Sequence, residues 1–194
     1  MQGQADLVSA LEVREFRYRS YHLQSWIDAH EKWWPKCEDP SVWGCFAAQA
    51  KSGRYSFSNR NQARRHFAET WVGRQLERCG YICWTNAKIL RKPSRSLHGQ
   101  YASQTRFVEA LLRESLGIVP QVEYEKRYLS SGVRLKNVDI VGFHCGRDHW
   151  VFTEVKKDRD RLHPEQRAAL LFLRELFPTS RADVFVAAVQ TRGR

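Results

Sequence analysis

The sequence predicts a mixed α/β (α+β) fold, most clearly in its second half. Residues 182–189 (ADVFVAAV) form an almost continuous apolar run of strand length, the pattern of a strand covered on both faces. Residues 164–177 read as an amphipathic helix that opens with Pro164 and closes before Pro178. Ahead of them, short β-rich segments flank a turn-rich connection at 144–149. The resulting order is helix, three strands, helix, strand. A three-strand meander followed by a strand-helix-strand crossover gives a mixed sheet flanked by helices.

Taken in chain order, residues 12–34 read as helical, with Phe16, Leu23, Trp26 and Ile27 as the apolar positions and Pro35 as the stop. A loop-rich stretch with Pro40, Gly44 and Gly53 follows. Helical period returns over 61–78 through Phe67, Trp71, Val72 and Leu76, with Gly80 as its end, and 81–84 suits a short strand. Residues 92–104 are polar, contain Pro93 and Gly99, and read as a linker. A helix is expected over 103–116, capped by Ser103, striped by Phe107, Val108, Leu111, Leu112 and Leu116, and ended by Gly117. Strands are expected at 121–129, 136–143 and 150–156. This divides the chain into a mainly helical, Trp-rich N-terminal region (1–92), a linker (93–104) and an α/β core (105–194).

The 194 residues hold 32 Lys and Arg against 21 Asp and Glu, a formal charge of +11 that points to polyanionic partners such as DNA or RNA. A hydrophobic content of 42% excludes a disordered basic tail. Residues 51–95 carry 11 of the basic residues and only Glu69 and Glu77 as acids, so most of the excess lies there. Six of the seven tryptophans fall in the same half of the chain, and aromatics beside Arg and Lys can stack bases while the cations hold phosphates; they also suit a small helical core with a solvated face. Apolar runs such as 168–173 are far too short to cross a bilayer, the first 30 residues show no signal-like apolar stretch, and five irregularly spaced cysteines fit a reducing compartment. A cytoplasmic protein with no membrane partner is expected.

The connection His144-Cys145-Gly146-Arg147-Asp148-His149 suggests a hairpin centred between Gly146 and Arg147. In that register Asp139 lies opposite Glu154 on one face, with Lys156 one step beyond on the same face. Two facing carboxylates repel unless a cation neutralises them, and hard oxygen donors suit Mg²⁺ or Mn²⁺. A neighbouring ammonium then serves phosphoryl chemistry by stabilising developing charge. An exposed Glu154–Lys156 pair beside an ordinary strand aspartate is the plainer alternative.

The segments VDIVGF (138–143) and EVKKDRDRLHPEQ (154–166) resemble the PD-(D/E)XK nuclease superfamily, and within it the VRR-NUC branch. The matching features are a strand with Asp139, an ExK strand with Glu154 and Lys156, a D-x-L segment with Asp160 and Leu162, and Gln166 in the first turn of the next helix. The resemblance covers about 103–190 and implies a restriction-endonuclease-like αβββαβ core with a mixed central sheet. It further implies that Asp139, Glu154 and the backbone carbonyl of Val155 bind the metal, with Lys156 and Gln166 in the catalytic set. Glu109 matches the first-helix acid of the superfamily, with Glu114 as competitor. Two departures concern DNA positioning: His163 stands where the branch often has Ser, and Lys157 where it usually has Gly.

The expected activity is therefore that of a divalent-metal-dependent DNA endonuclease, either structure-selective on branched or flapped DNA or nonspecific. Arg64, Arg65, Arg74, Arg78, Lys157, Arg159, Arg161 and His163 are the expected DNA contacts. An antibacterial DNase toxin or defence nuclease with an immunity or recruiting partner, a noncatalytic nucleic-acid-binding module, an RNA nuclease and a homodimer stay open. Structural zinc on His30, Cys37 and Cys45, or on His66, Cys79 and Cys83, is not expected, because neither set has paired CxxC spacing.

Overall fold

The computed structural model describes residues 11–29, 60–85, 87–91, 97, 99–158 and 160–192, with backbone only at 25–29, 60–65 and 99–101. In chain order the elements are β1 (Glu12–Tyr18), α1 (Ser20–Ala29), α2 (Arg60–Arg78), β2 (Ile82–Trp84), α3 (Gly99–Leu116), α4 (Pro120–Ser131), β3 (Ile140–His144), β4 (His149–Lys157), α5 (Pro164–Leu176) and β5 (Ala182–Thr191). The strands form one mixed sheet ordered β1-β5-β4-β3-β2. The β2–β3 and β3–β4 pairs are antiparallel, whereas β5 is parallel to both β4 and β1.

Period-two alternation sends the strand residues to two cores. Trp84, Val141, Trp150, Phe152, Val184 and Val186 face α3, α4 and α5, where they meet Val108, Leu112, Tyr124, Leu170 and Leu173. Ile140, Val151, Val155, Phe185, Ala187 and Val189 face α2 through Phe67, Val72 and Leu76. β4 and β5 are thus covered on both sides, which is why β5 reads as an unbroken apolar run. No helix among the described residues is long and apolar enough to cross a membrane.

The N-terminal residues depart from the helical expectation over 12–34. Glu12–Tyr18 is a strand on the sheet edge and Ser20–Ala29 is helical, while 30–34 lie outside the described residues. The spacing Arg14, Phe16, Tyr18 is period two: Phe16 stacks on Phe185 at 6.4 Å, and the Arg14 guanidinium lies 4.2 Å from the centre of the same ring. Glu12, Glu15 and Arg17 are exposed, so the strand carries charge where a buried strand would carry valine. The N-terminal region is accordingly built into the same sheet as the C-terminal half, with β1 against β5 and β2 against β3.

The segment expected as a strand at 121–129 is helix α4. Pro120 begins it, Gly132 ends it in the left-handed region at φ 67°, and the Gly132 N–H donates to Tyr128 O. Its inward positions Gln121, Tyr124 and Tyr128 follow i, i+3, i+7, a helical spacing that the local Val122/Tyr124 alternation obscures. The expected linker is partly helical too: residues 99–104 open α3, with Ala102 and Gln104 buried, whereas 92–96 and 98 lie outside the described residues. The strand expected from 136 starts only at Ile140, because Asn137 is used otherwise. Its side chain accepts from Leu90 N at 3.0 Å and donates to Ala87 O at 2.7 Å, tying the 87–90 segment to the start of β3.

One glycine is required by close approach. At Gly80, between α2 and β2, φ is 89° and a Cβ would fall 2.7 Å from His144 Nε2.

Candidate active site

The hairpin has the register that the sequence predicts. Ile140 pairs with Thr153, Phe143 with Trp150 and His144 with His149, around a short 3₁₀ turn at Cys145–Arg147. One step beyond the Ile140–Thr153 pair, away from the turn, Asp139 stands opposite Glu154. Here the two strands part, since β4 runs on to Lys157 alongside β5 while the chain before Ile140 turns away. The Val155 N–H, lacking a carbonyl from β3, donates instead to Asp139 Oδ2 at 2.8 Å.

Glu154 is 1% exposed. Its Oε1 accepts from Lys156 Nζ at 2.8 Å and from Gln166 Nε2. Gln166 Oε1 in turn accepts from the His163 N–H at 3.0 Å, so one amide both caps α5 and holds the carboxylate. His163 provides this main-chain donor while its own side chain is exposed.

Burial pushes the Asp139 carboxyl up to about 8, reinforced by repulsion from Glu154 and Glu69 and opposed by the Val155 N–H and Lys156. Burial likewise raises Glu154, against the pull of the Lys156 ammonium. Without a cation, the pair is therefore held partly protonated near neutral pH.

These groups open into a cleft of about 440 Å³ lined by Ala68, Glu69, Asp139, Glu154, Val155, Lys156, Lys157, Asp160 and Gln166. Glu69 is the residue that sequence reasoning missed. It comes from α2, on the other face of the sheet, where its Oε2 lies 3.4 Å from His66 Nδ1. One of only two acids, with Glu77, on an amphipathic helix within a stretch otherwise strongly basic was the signal available. Glu109 is placed elsewhere: it pairs with Arg91 at 2.6 Å and does not line the cleft, and Glu114 is exposed.

Of the expected DNA contacts, Lys157 lines the cleft, and Arg161 and His163 are exposed just before α5. Arg74 and Arg78 are exposed on α2, but about 140° and 180° around that helix from Glu69, so they do not face the cleft. Arg159 and the side chains of Arg64 and Arg65 lie outside the described residues. Leu162 packs against the larger core. Cys83 is buried in the α2 core and Cys79 is exposed, while His30, Cys37 and Cys45 lie outside the described residues.

The donor set is made of hard oxygens: two facing carboxylates, the adjoining main chain of Val155, and Glu69 and Asp160 on the cleft wall. Among the described residues, no three His, Cys, Asp or Glu side chains gather tightly enough to form a metal cluster by themselves. The chain matches no protein-family model, no curated protein and no solved structure.

Proposed function

We propose that the chain is a divalent-metal-dependent nuclease of the PD-(D/E)XK type that hydrolyses phosphodiester bonds in DNA. The observation that carries this reading is Asp139 facing Glu154 at the point where β3 and β4 part, with Lys156 hydrogen-bonded to Glu154 in the same cleft. The chain order gives it further support. With α3 and α4 set aside, α2-β2-β3-β4-α5-β5 reads as a helix, three antiparallel strands, a helix and a parallel strand, the αβββαβ order of that superfamily. In this reading α3 and α4 are an insertion between the first two core strands, and Glu69 on α2, rather than Glu109 on α3, is the first-helix acid.

The residues present fit Mg²⁺ or Mn²⁺, because burial pushes both carboxyls up, with repulsion from Glu154 adding to it at Asp139, a situation a hard cation relieves. Asp139, Glu154 and the Val155 carbonyl would hold the ion, with Glu69 on the opposite wall. When bound, it supplies Lewis-acid activation of a phosphate and of the attacking water. The chain's own groups do the rest. Gln166 fixes the Glu154 carboxylate by anchoring it to the first turn of α5. The Lys156 ammonium, already inside the cleft, stabilises the charge that develops on the attacked phosphate. Lys157 offers a phosphate contact at the cleft wall, and the net +11 draws the polyanion in.

The test is cleavage of linear, supercoiled, branched and single-stranded DNA with Mg²⁺, Mn²⁺ or EDTA, for the wild type and Asp139→Ala. Metal-dependent cleavage lost in the variant is expected. Robust cleavage in EDTA, or a wild-type rate in Asp139→Ala, would overturn the reading.

A further inference from the structure

A second feature lies one helical turn from the cleft. On α2, Trp71, Arg74, Gln75 and Arg78 follow i, i+3, i+4, i+7 and so share one side of the helix. α1 lays His22 against Trp71 with ring centres 4.6 Å apart and planes tilted by 34°, and Tyr21 covers His22 at 4.1 Å. On its inner side Trp71 lies nearly parallel to Phe67 at 6.0 Å and edge-on to Tyr18 at 6.4 Å. This ladder of rings runs from the core to the surface and ends in Tyr21, which is 55% exposed.

Three cations, Arg19, Arg74 and Arg78, are exposed around it. Burial, together with the charges of Arg19 and Arg78, lowers His22 from its ordinary value, so the ring is a neutral aromatic at pH 7. Among the described residues, two buried donors in the same stripe, Trp71 Nε1 and Gln75 Nε2, have no acceptor, a rare condition in a native interior. The ladder is also continuous with the cleft. Ala68, one turn before Trp71, lines it, and the cleft-lining Lys157 ammonium lies 5.9 Å from the centre of the Tyr18 ring.

We infer that the junction of α1 and α2 is a stacking site for an unpaired nucleobase, with the outer face of Tyr21, backed by His22, as its platform and Arg19, Arg74 and Arg78 as its phosphate contacts. Base faces are available for stacking only where nucleotides are unpaired, so the preferred ligand is single-stranded DNA, or a duplex that carries a single-stranded flap. For the cleft itself the inference rests on the nuclease reading, since the platform would hold the single-stranded part of the DNA presented there.

The experiment measures binding by the full chain in EDTA, where cleavage plays no part, using a fluorescently labelled oligo-dT strand and a blunt duplex. A second single strand carries 2-aminopurine, whose emission is quenched when it stacks. Tyr21→Ala and His22→Ala should each weaken single-strand binding roughly tenfold and abolish the quenching, while blunt-duplex binding changes far less. Tyr21→Phe should retain both signals, and circular dichroism checks that each variant is folded. Arg78→Gln provides a second route, lowering single-strand affinity and flattening its salt dependence while the quenching in the saturated complex persists. Unchanged single-strand affinity and quenching in Tyr21→Ala and His22→Ala, or tighter wild-type binding to blunt duplex than to single strand, would overturn the inference. Failure of metal-dependent cleavage with these binding signals intact would instead count against the cleft.

Discussion

At the turn end of the β3–β4 pair, Phe143 faces Trp150 with ring centres 4.6 Å apart, and Trp150 also lies against Trp84 and Phe152. Its indole N–H donates to Ser115 Oγ at 2.9 Å, so nothing polar is left over. Four residues along the same strand and on the same face, Glu154 is equally buried but meets Asp139, a second acid. At one end of the strand Trp150 satisfies the one polar side-chain group it buries, whereas the other end concentrates like charge and depends on Lys156, Gln166 and the Val155 N–H to hold it. The contrast separates what stabilises the sheet from what the sheet is built to present, although a single strand supplies both.

The sharpest way to break the comparison is to remove one group from each end. Asp139→Ala and Lys156→Ala should lower cleavage by at least about a hundredfold while the circular dichroism spectrum stays native, because neither side chain fills the core. Trp150→Ala should do the reverse, costing about 3–5 kcal/mol of stability in a urea titration. A folded Trp150→Ala protein of unchanged midpoint would mean that the aromatic end is not the stabilising one.

Gln166→Ala tests the link between helix cap and carboxylate. A loss of about ten- to a hundredfold in metal affinity, read by calorimetry, is expected from releasing Glu154. Unchanged affinity would reduce Gln166 to a helix cap.

The charged end also makes a prediction for pH. Asp139 ordinarily titrates near 3.8 and is held near 8 in the fold, so between those values the folded chain binds more protons than the unfolded chain. This group's contribution to metal-free stability is therefore full below about 4 and is lost as the pH rises toward 8. Asp139→Asn should remove most of that decline, and Mg²⁺ should raise the melting temperature more at pH 8 than at pH 5. Parallel melting-temperature profiles for variant and wild type would contradict the raised value.

The smallest effect separates the two candidate helix acids. Glu69→Gln should weaken metal binding, whereas Glu109→Gln should leave it intact and cost on the order of 1 kcal/mol by leaving Arg91 without its partner.

The facing of Asp139 and Glu154 was legible because it depends on one local quantity, the centre of a short turn, and every later pair follows from it. α5 and β5 were legible for a similar reason, with Pro164 and the unbroken 184–189 run marking them without reference to the rest of the chain. β1 and α4 were not. β1 is an edge strand whose charged residues have good helix propensity, and only its pairing with β5 makes it a strand. In α4 the alternation of Val122 and Tyr124 competes with the i, i+3, i+7 burial of Gln121, Tyr124 and Tyr128, and only packing decides between them. Glu69 is a harder case still. It reaches the cleft from the opposite face of the sheet, 70 residues ahead of Asp139, and no local spacing encodes that meeting.

The Val155 amide gives the site a reporter of its own. Its proton is held by a side-chain carboxylate instead of a ladder carbonyl, so its chemical shift and its exchange with solvent follow the charge on Asp139. In a ¹⁵N-labelled sample, that one cross-peak would trace the protonation of the carboxyl as pH is varied and its engagement as a cation is added. The neighbouring β4 amides, held by ordinary main-chain pairing to β5, would serve as the internal control.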